Sequence, residues 1–363
     1  IISMSYLFLS CTEKKINTSQ QDLSSGLRRL AMRRLKADRI AMASLFIVLS
    51  FFLMLVLSMT GLIAKDWNKE VAVSYAPPTF IAIDQKVIDR STMIEQSTVN
   101  QSSNQIDYYG IQDPLAEDMR AIDQQLDGHL LDQQSELKTS LPFGADKWGR
   151  DIILKTIKGA ETSILVGLIS ALIAVVIGTF LGAIAGYFGG WIDDLLNWFY
   201  NVFTSIPYLL LVLAIAAVLQ QKGILSIVLI LGLTGWTGVF RLIRAEYMKH
   251  TSREYILAAK AIGVSHMRRM FVHIFPNVSH IALVQMSILV VSFIKSEVIL
   301  SFLGFGVPVG VVSWGSMLNE AQSELILGKW WQLVAASVAM AVLVTAFSMF
   351  TDALRDALDP KLK

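Results

Sequence analysis

Residues 253–276 read REYILAAKAIGVSHMRRMFVHIFP, a basic amphipathic segment divided by one glycine and set between two runs apolar enough to span a bilayer. In the first half Tyr255, Ala258, Ala259 and Ile262 recur at helical spacing, while Arg253, Glu254 and Lys260 fall elsewhere on the wheel. Gly263 suits a helix C-terminus, where a positive φ is needed. Ser265 is placed to cap a second helix, in which Met267, Met270, Phe271 and Ile274 form another apolar stripe. Pro276 fits the first turn of the helix after that. The small Ala258 and Ala259 let the first helix sit deep in a partner's groove. A helix lying flat on the inner leaflet is the competing reading; the two-helix form with a central glycine favours a protein partner.

Outward from this segment the chain is dominated by apolar runs. One helical crossing of a hydrocarbon core takes about 20 mostly apolar residues. Ile40–Ala64, Thr162–Tyr187, Leu195–Leu219, Ile224–Phe240, Val278–Leu300 and Trp331–Phe350 meet that length, giving about six spans. With 54% hydrophobic and 17% charged residues, the composition excludes an ordinary soluble domain. The expected fold is all-α, a polytopic membrane protein. Arg28, Arg29, Arg33, Arg34, Lys36 and Arg39 precede the first span, and Arg241, Arg244, Lys249, Arg253, Lys260, Arg268 and Arg269 lie between the fourth and fifth. Cations flanking spans mark the cytoplasmic side, so both termini are expected inside, in agreement with Arg355, Lys361 and Lys363 near the end.

The expected organisation is a cytoplasmic tail over 1–39, a first transmembrane helix over 40–64, an extracytoplasmic insert over 65–145 and a core domain over 146–363 that carries the cytoplasmic loop 244–276. The opening IISMSYLFLSC lacks a basic region before its short apolar run and reads as a loose tail rather than a signal peptide or lipoprotein box. The stretch Lys65–Leu141 is polar and acidic. Leu115, Met119, Ile122 and Leu126 recur there at helical spacing, Gln96–Gln105 reads as disordered, and His129 as a solvated residue. Phe143–Ala160, with Trp148, reads as a short interfacial helix. Gly178, Gly182 and Gly186 leave one helical face free of side chains, a packing face for another backbone.

No segment supplies catalytic chemistry. Gly328–Lys329 lacks the flanking residues of a phosphate-binding loop, there is no HExxH or nucleophile elbow, and the single Cys11 excludes an intrachain disulfide or cysteine cluster. No catalytic, metal or cofactor residue is assigned, and no nucleic-acid partner. Energy must come from an ion gradient or another subunit. An ion-coupled carrier places ionisable groups in mid-membrane; of Asp, Glu, Lys and Arg the predicted spans hold only Lys295 and Glu297, two apart and on different helical faces. Glu297 reads either as a pore-mouth contact or as an interfacial residue.

Leu257-Ala258-Ala259, Gly263 and Pro276 resemble the EAA loop of permease subunits of ATP-binding-cassette importers, with Leu257 where the motif's Glu stands and Glu254 one turn earlier. After Leu141 the similarity continues: FGADKWGRDI (Gly144, Asp146, Gly149, Arg150, Asp151), GAETSILVG, GAIAGYFGGWID, then SEVILSFLGFGVPVGVVSWGSML (Glu297, Ser301, Gly304, Gly306, Trp314, Gly315; Pro308 remaining of a proline cluster) and DALRDALDPKL. The chain is similar to the C-type permease of oligopeptide/dipeptide/nickel importers. The resemblance implies a type I importer permease fold in the bacterial inner membrane, surrounded by lipid. It also implies a homologous permease as heterodimer partner, two ABC ATPase subunits bound to the EAA loops of the pair, here through Glu254, Leu257, Ala258, Ala259, Gly263 and Pro276, and an extracytoplasmic binding protein that delivers peptide. Glu297 and Trp314 become candidates for the pathway mouth. Nickel or a peptide antibiotic is an alternative cargo, and an ion-coupled secondary carrier the alternative class.

Overall fold

The computed structural model describes residues 38–81, 137–219, 223–308 and 310–358. Helix α1 (Arg39–Met59) is apolar on every side and starts where the Asp38 side chain accepts hydrogen bonds from the Ile40 and Ala41 amides. Helix α2 (Ile152–Phe188) is 37 residues long, about 55 Å at 1.5 Å per residue and so longer than the hydrocarbon core is thick. Its start is fixed by Asp151, which accepts from the Ile153 amide at 2.7 Å. This start corrects two expectations. No helix covers 143–151, which is irregular and leaves Trp148 52% exposed. The second span also begins ten residues before Thr162, bringing Lys155, Lys158 and Glu161 onto it.

Helix α2 runs through the centre of the bundle. Gly178, Gly182 and Gly186 face α6 (Thr237–Thr251), which with α5 (Ile224–Thr234) makes one 28-residue span. A Cβ on Gly178 would lie 2.6 Å from the Trp236 carbonyl oxygen, and one on Gly182 2.8 Å from that of Phe240. Backbone therefore approaches backbone along this seam, as small residues at four-residue spacing permit. The fourth span outlasts its predicted end at Phe240, so Arg241, Arg244 and Lys249 sit on helix rather than in a loop.

The third span is broken. Helix α3 (Gly190–Thr204) and helix α4 (Tyr208–Leu219) meet at 82°. Pro207 lacks an amide proton and disfavours helical geometry in Ile206, which ends α3. Helix α3 runs antiparallel to α6: Arg244 grips Asp193 through Nε at 2.5 Å and Nη2 at 2.6 Å, Tyr200 stacks on Phe240, and Phe203 meets Trp236 edge-on. Helix α4 then ends at Leu219, four residues before Gly223, which precedes α5. The straight helix expected over Leu195–Leu219 is thus replaced by a sharply bent pair, long and apolar enough in total to make one span.

After α7 (Glu254–Ala261) the chain enters α8 (His266–Phe302), a single 37-residue helix with a π-turn over Arg269–Ile274. Pro276 lies inside this helix instead of opening one. The wider π-turn just before it accommodates the missing hydrogen-bond donor. Helix α9 (Trp314–Ile326), whose N-terminus carries a reciprocal Ser313–Ser316 capping box, and α10 (Trp331–Leu358) complete the fold. Among the described residues five helices are long and apolar enough to cross a membrane, and the bent pair makes six.

Between α1 and α2, Ala72 pairs with Lys138 and Pro78 with Leu141, tying the two described ends of the insert together. The helical piece at Leu115–Leu126, the Gln96–Gln105 stretch, His129, Cys11 and the cations before Asp38 lie outside the described residues, as do 359–363.

Candidate functional site

The segment that opened the sequence reading folds as a short hairpin at the α6–α8 end of the bundle. Helix α7 closes in a complete Schellman motif: the Val264 amide donates to the Ala259 carbonyl at 3.0 Å and the Gly263 amide to the Lys260 carbonyl at 3.1 Å. Gly263 takes φ +78°, which a side chain would strain. Ser265 occupies the next N-cap position, but its hydroxyl makes no capping bond.

Helix α7 turns Ile256 and Ala259 inward. Ile256 packs into a cluster with Tyr247 of α6 and Met270, Ile274 and Val278 of α8. The Tyr247 hydroxyl donates to the Met270 carbonyl at 3.2 Å, and the Tyr255 hydroxyl meets His250 Nδ1 at 2.9 Å. At the start of α8, His266 Nδ1 lies 3.1 Å from the Tyr187 hydroxyl, over whose ring the Arg269 guanidinium is placed. The hairpin is therefore seated on α2, α6 and α8 together. Its outer face carries Leu257 (53% exposed), Ala258, Ile262 (80%) and Met267 (60%).

This division differs from the stripe expected from spacing. Of Tyr255, Ala258, Ala259 and Ile262, only Ala259 is buried, so Ala258 and Ala259 serve opposite faces. Met270 and Ile274 are buried, whereas Met267 points outward. Glu254 is exposed in the first turn of α7, where the helix dipole favours a carboxylate. Pro276 stands further along α8, away from the outer face.

Glu297 and Trp314 come together, but not at a mouth: both are fully buried. Ser163 of α2 donates to Glu297 Oε2 and Ser301 to Oε1, each at 2.7 Å. The Trp314 amide donates to Ser163 Oγ at 3.2 Å, and its indole Nε1 to the Thr156 carbonyl at 3.1 Å. The pair is an internal strut joining α2, α8 and α9. Lys295, two residues away, is exposed on the opposite face.

A second polar centre was not legible in the sequence. The Lys155 ammonium is 2% exposed and lies 2.7 Å from Asp146, 2.6 Å from Glu320 and 3.2 Å from the Gln332 side-chain oxygen. Glu324 is fully buried near them, and neither of its oxygens finds a hydrogen-bond partner among the described residues. Burial pushes its carboxyl up to about 7, with Lys155 pulling the other way. These residues come from a loop and three helices, so no periodicity connects them. No group of three or more metal-ligating side chains forms among the described residues.

Residues 178–363 match the family described as binding-protein-dependent transport system inner membrane component. The chain is 36% identical over 244 residues to the dipeptide transport system permease protein DppC of Bacillus subtilis (strain 168), covering 66% of this chain and 76% of that one. Identity is 35% over 221 residues to the oligopeptide transport system permease protein OppC of the same organism, covering 61% and 72%. The di/tripeptide transport system permease protein DppC of Pseudomonas aeruginosa (strain UCBPP-PA14) is 34% identical over 221 residues, with 61% and 72% covered. Among solved structures, a chain of the inward-facing MetNI methionine ABC transporter is similar with a TM-score of 0.46 and 16% identity, covering 56% of this chain and 96% of that one.

Proposed function

The chain belongs to the family of binding-protein-dependent transport system inner membrane components, and from that premise we propose that it is the permease subunit of an ATP-driven peptide importer, forming half of the pathway across the membrane. The observation that carries the reading is the outer face of the hairpin. Leu257, Ala258, Ile262 and Met267 stand exposed beyond the end of the bundle, while Ile256 anchors the same helix to α6 and α8. An apolar face on a short helix, rooted in two spans, is suited to a groove on another protein.

In this reading two ATPase subunits supply the energy, one of them docking on α7. A push on α7 reaches α6 through Tyr247 and α8 through Met270. Helix α6 in turn bears on α2 through the glycine seam, which has no flexible side chains to absorb the displacement. A homologous permease forms the other half of the pathway, and an extracytoplasmic binding protein delivers the substrate. Peptide as cargo follows the relatives' names; nickel or a peptide antibiotic is the alternative within the same class. ATP hydrolysis is assigned to the ATPase subunits and no covalent chemistry to this chain.

One observation favours a second class. The Lys155, Asp146, Glu320 and Glu324 centre and the buried Glu297 supply the buried ionisable groups that a proton-coupled carrier uses. Uptake measured in proteoliposomes holding the whole transporter separates the two. ATP-dependent peptide uptake that survives collapse of the proton gradient supports the importer; uptake driven by the gradient without ATP overturns it.

A further inference from the structure

The break between α3 and α4 leaves polar backbone open at membrane depth. Trp236, the residue beside which α3 ends, is the thirteenth of the 28 residues of the α5–α6 span. At 1.5 Å per residue it stands about 18 Å from Ile224 and about 22 Å from Thr251. The break at Ser205, Ile206 and Pro207 thus lies beside the apolar part of that span, about 8 Å before Arg241, the first of the cations at its hairpin end.

Two features of this place are incompatible with lipid. The carbonyls of Phe203, Thr204, Ser205 and Ile206 accept no hydrogen bond among the described residues, and hydrocarbon cannot satisfy them. The residues leading to the break are also polar along one line of α3. Asn201, Thr204 and Ser205 are exposed together at the end of α3, with Asp194 two turns earlier on the same line and the exposed Trp198 between it and Asn201. Trp191, Leu195, Phe199 and Val202 occupy the adjoining exposed sector and are all apolar. Helix α3 therefore presents one face fit for lipid and another, ending in the open carbonyls, fit for water and hydrogen-bond donors.

We propose that the Asn201–Ser205 stripe and the open carbonyls at 203–206 are a peptide-contacting site on the wall of the pathway, binding the N–H groups or the α-ammonium of the cargo. The Thr204 and Ser205 hydroxyls donate back to carbonyls of their own helix, Thr204 to that of Tyr200 at 3.0 Å and Ser205 to that of Val202 at 2.7 Å. Their oxygens are left as acceptors, so the wall is acceptor-rich. That matches a substrate that repeats a donor at every residue and rejects none by side chain. The inference rests on the reading of this chain as a peptide permease.

The test uses the complete transporter in proteoliposomes, with Cys11, the one cysteine of the chain, replaced by Ser. Uptake of trialanine and hexa-alanine by this parent is measured first; if neither enters with ATP, the peptide reading fails and the site is not at issue. Given uptake, Asn201→Cys, Thr204→Cys, Ser205→Cys and, on the apolar face, Val202→Cys are treated with a charged thiol reagent, with and without the transported peptide. Reaction at 201, 204 and 205, slowed several-fold by peptide, together with an inert Val202→Cys, is the expected result. Three polar-face positions keep the result readable should one variant fail to assemble. No reaction at the polar positions in any nucleotide state means that the partner permease covers this face, and overturns the site. Reaction that peptide does not slow, or equal reaction at Val202→Cys, overturns it too.

Discussion

The Lys155 ammonium stands 2.7 Å from the Asp146 carboxylate with almost no solvent access to either group. Asp146 also accepts from the amides of Trp148 and Arg150, at 2.8 and 3.0 Å. One side chain thus shapes the turn before α2 and pins its first helical turns. Breaking a buried pair by removing one partner costs about 3–5 kcal/mol, because a charge is left uncompensated. Lys155→Met is expected to lower the thermal midpoint of the detergent-purified transporter strongly. Adding Asp146→Asn should cost less than the sum of the two single changes, since the residues interact directly. An unchanged midpoint in Lys155→Met refutes the pairing.

Glu324 gives the end of the bundle opposite the hairpin a pH dependence. Its carboxyl ordinarily titrates near 4.5 and is raised in the fold to about 7. The groups facing it are Lys155 on α2, Asp146 in the preceding loop and Glu320 on its own helix, with the neutral Gln332 on α10 nearby. Because the folded state holds the proton more tightly, stability is greatest below the unfolded pKa and is lost as pH rises through the folded value. The thermal midpoint should fall from about pH 5 to about pH 8, and Glu324→Gln should flatten the profile. Parallel profiles for the two proteins would refute it.

The glycine seam tolerates no side chain. A Cβ on Gly178 would also lie 2.7 Å from Val239 Cβ and 3.1 Å from the Phe240 amide nitrogen, so relief requires moving α6 itself. Overpacking of this kind typically costs about 1–3 kcal/mol. Gly178→Val and Gly182→Val should each reduce the yield of folded protein and lower its midpoint, whereas Gly238→Ala, which meets nothing within 4 Å, should leave both unchanged. The comparison is read by fluorescence-detected chromatography.

On the hairpin, Ala259 and Ile262 should respond differently although they are three residues apart. Ala259→Arg forces a long charged chain into the seat on the bundle and should destabilise the protein before any partner is added. Ile262→Asp changes only the outer face. It should lower the stability of the permease by no more than about 1 kcal/mol, the cost of an acid at a helix C-terminus, while lowering peptide-stimulated ATP hydrolysis and co-purification of the ATPase. Full ATPase binding by Ile262→Asp would remove the docking surface from that face.

A related test concerns Gly263. At φ +78° any L side chain is strained, by roughly 1–2 kcal/mol. Gly263→Val is expected to loosen the α7 end without unfolding the spans, visible as faster amide exchange over 259–264 and unchanged exchange in α2. Unaltered exchange at 259–264 would show that the positive φ carries no weight.

The sequence by itself determined the membrane class and the approximate number of spans. Hydropathy over about 20 residues is a local sum and needs no knowledge of neighbours. The hairpin and its Gly263 break were legible for the same reason, since helical period, cap and glycine act within a few residues. Gly178, Gly182 and Gly186 announced a close approach by their spacing, but not which helix approaches.

Only the tertiary structure decided which face of the hairpin is free, because burial of Ile256 and Ala259 depends on Tyr247 and Met270, held in place by other spans. It placed Glu297 and Trp314 in an internal strut: a carboxylate's partners, Ser163 above all, come from distant sequence. It assembled Lys155, Asp146, Glu320 and Glu324, and it bent the third span at Pro207. Short-range pattern fixes which segments enter the bilayer; the direction a polar group faces there depends on what packs beside it.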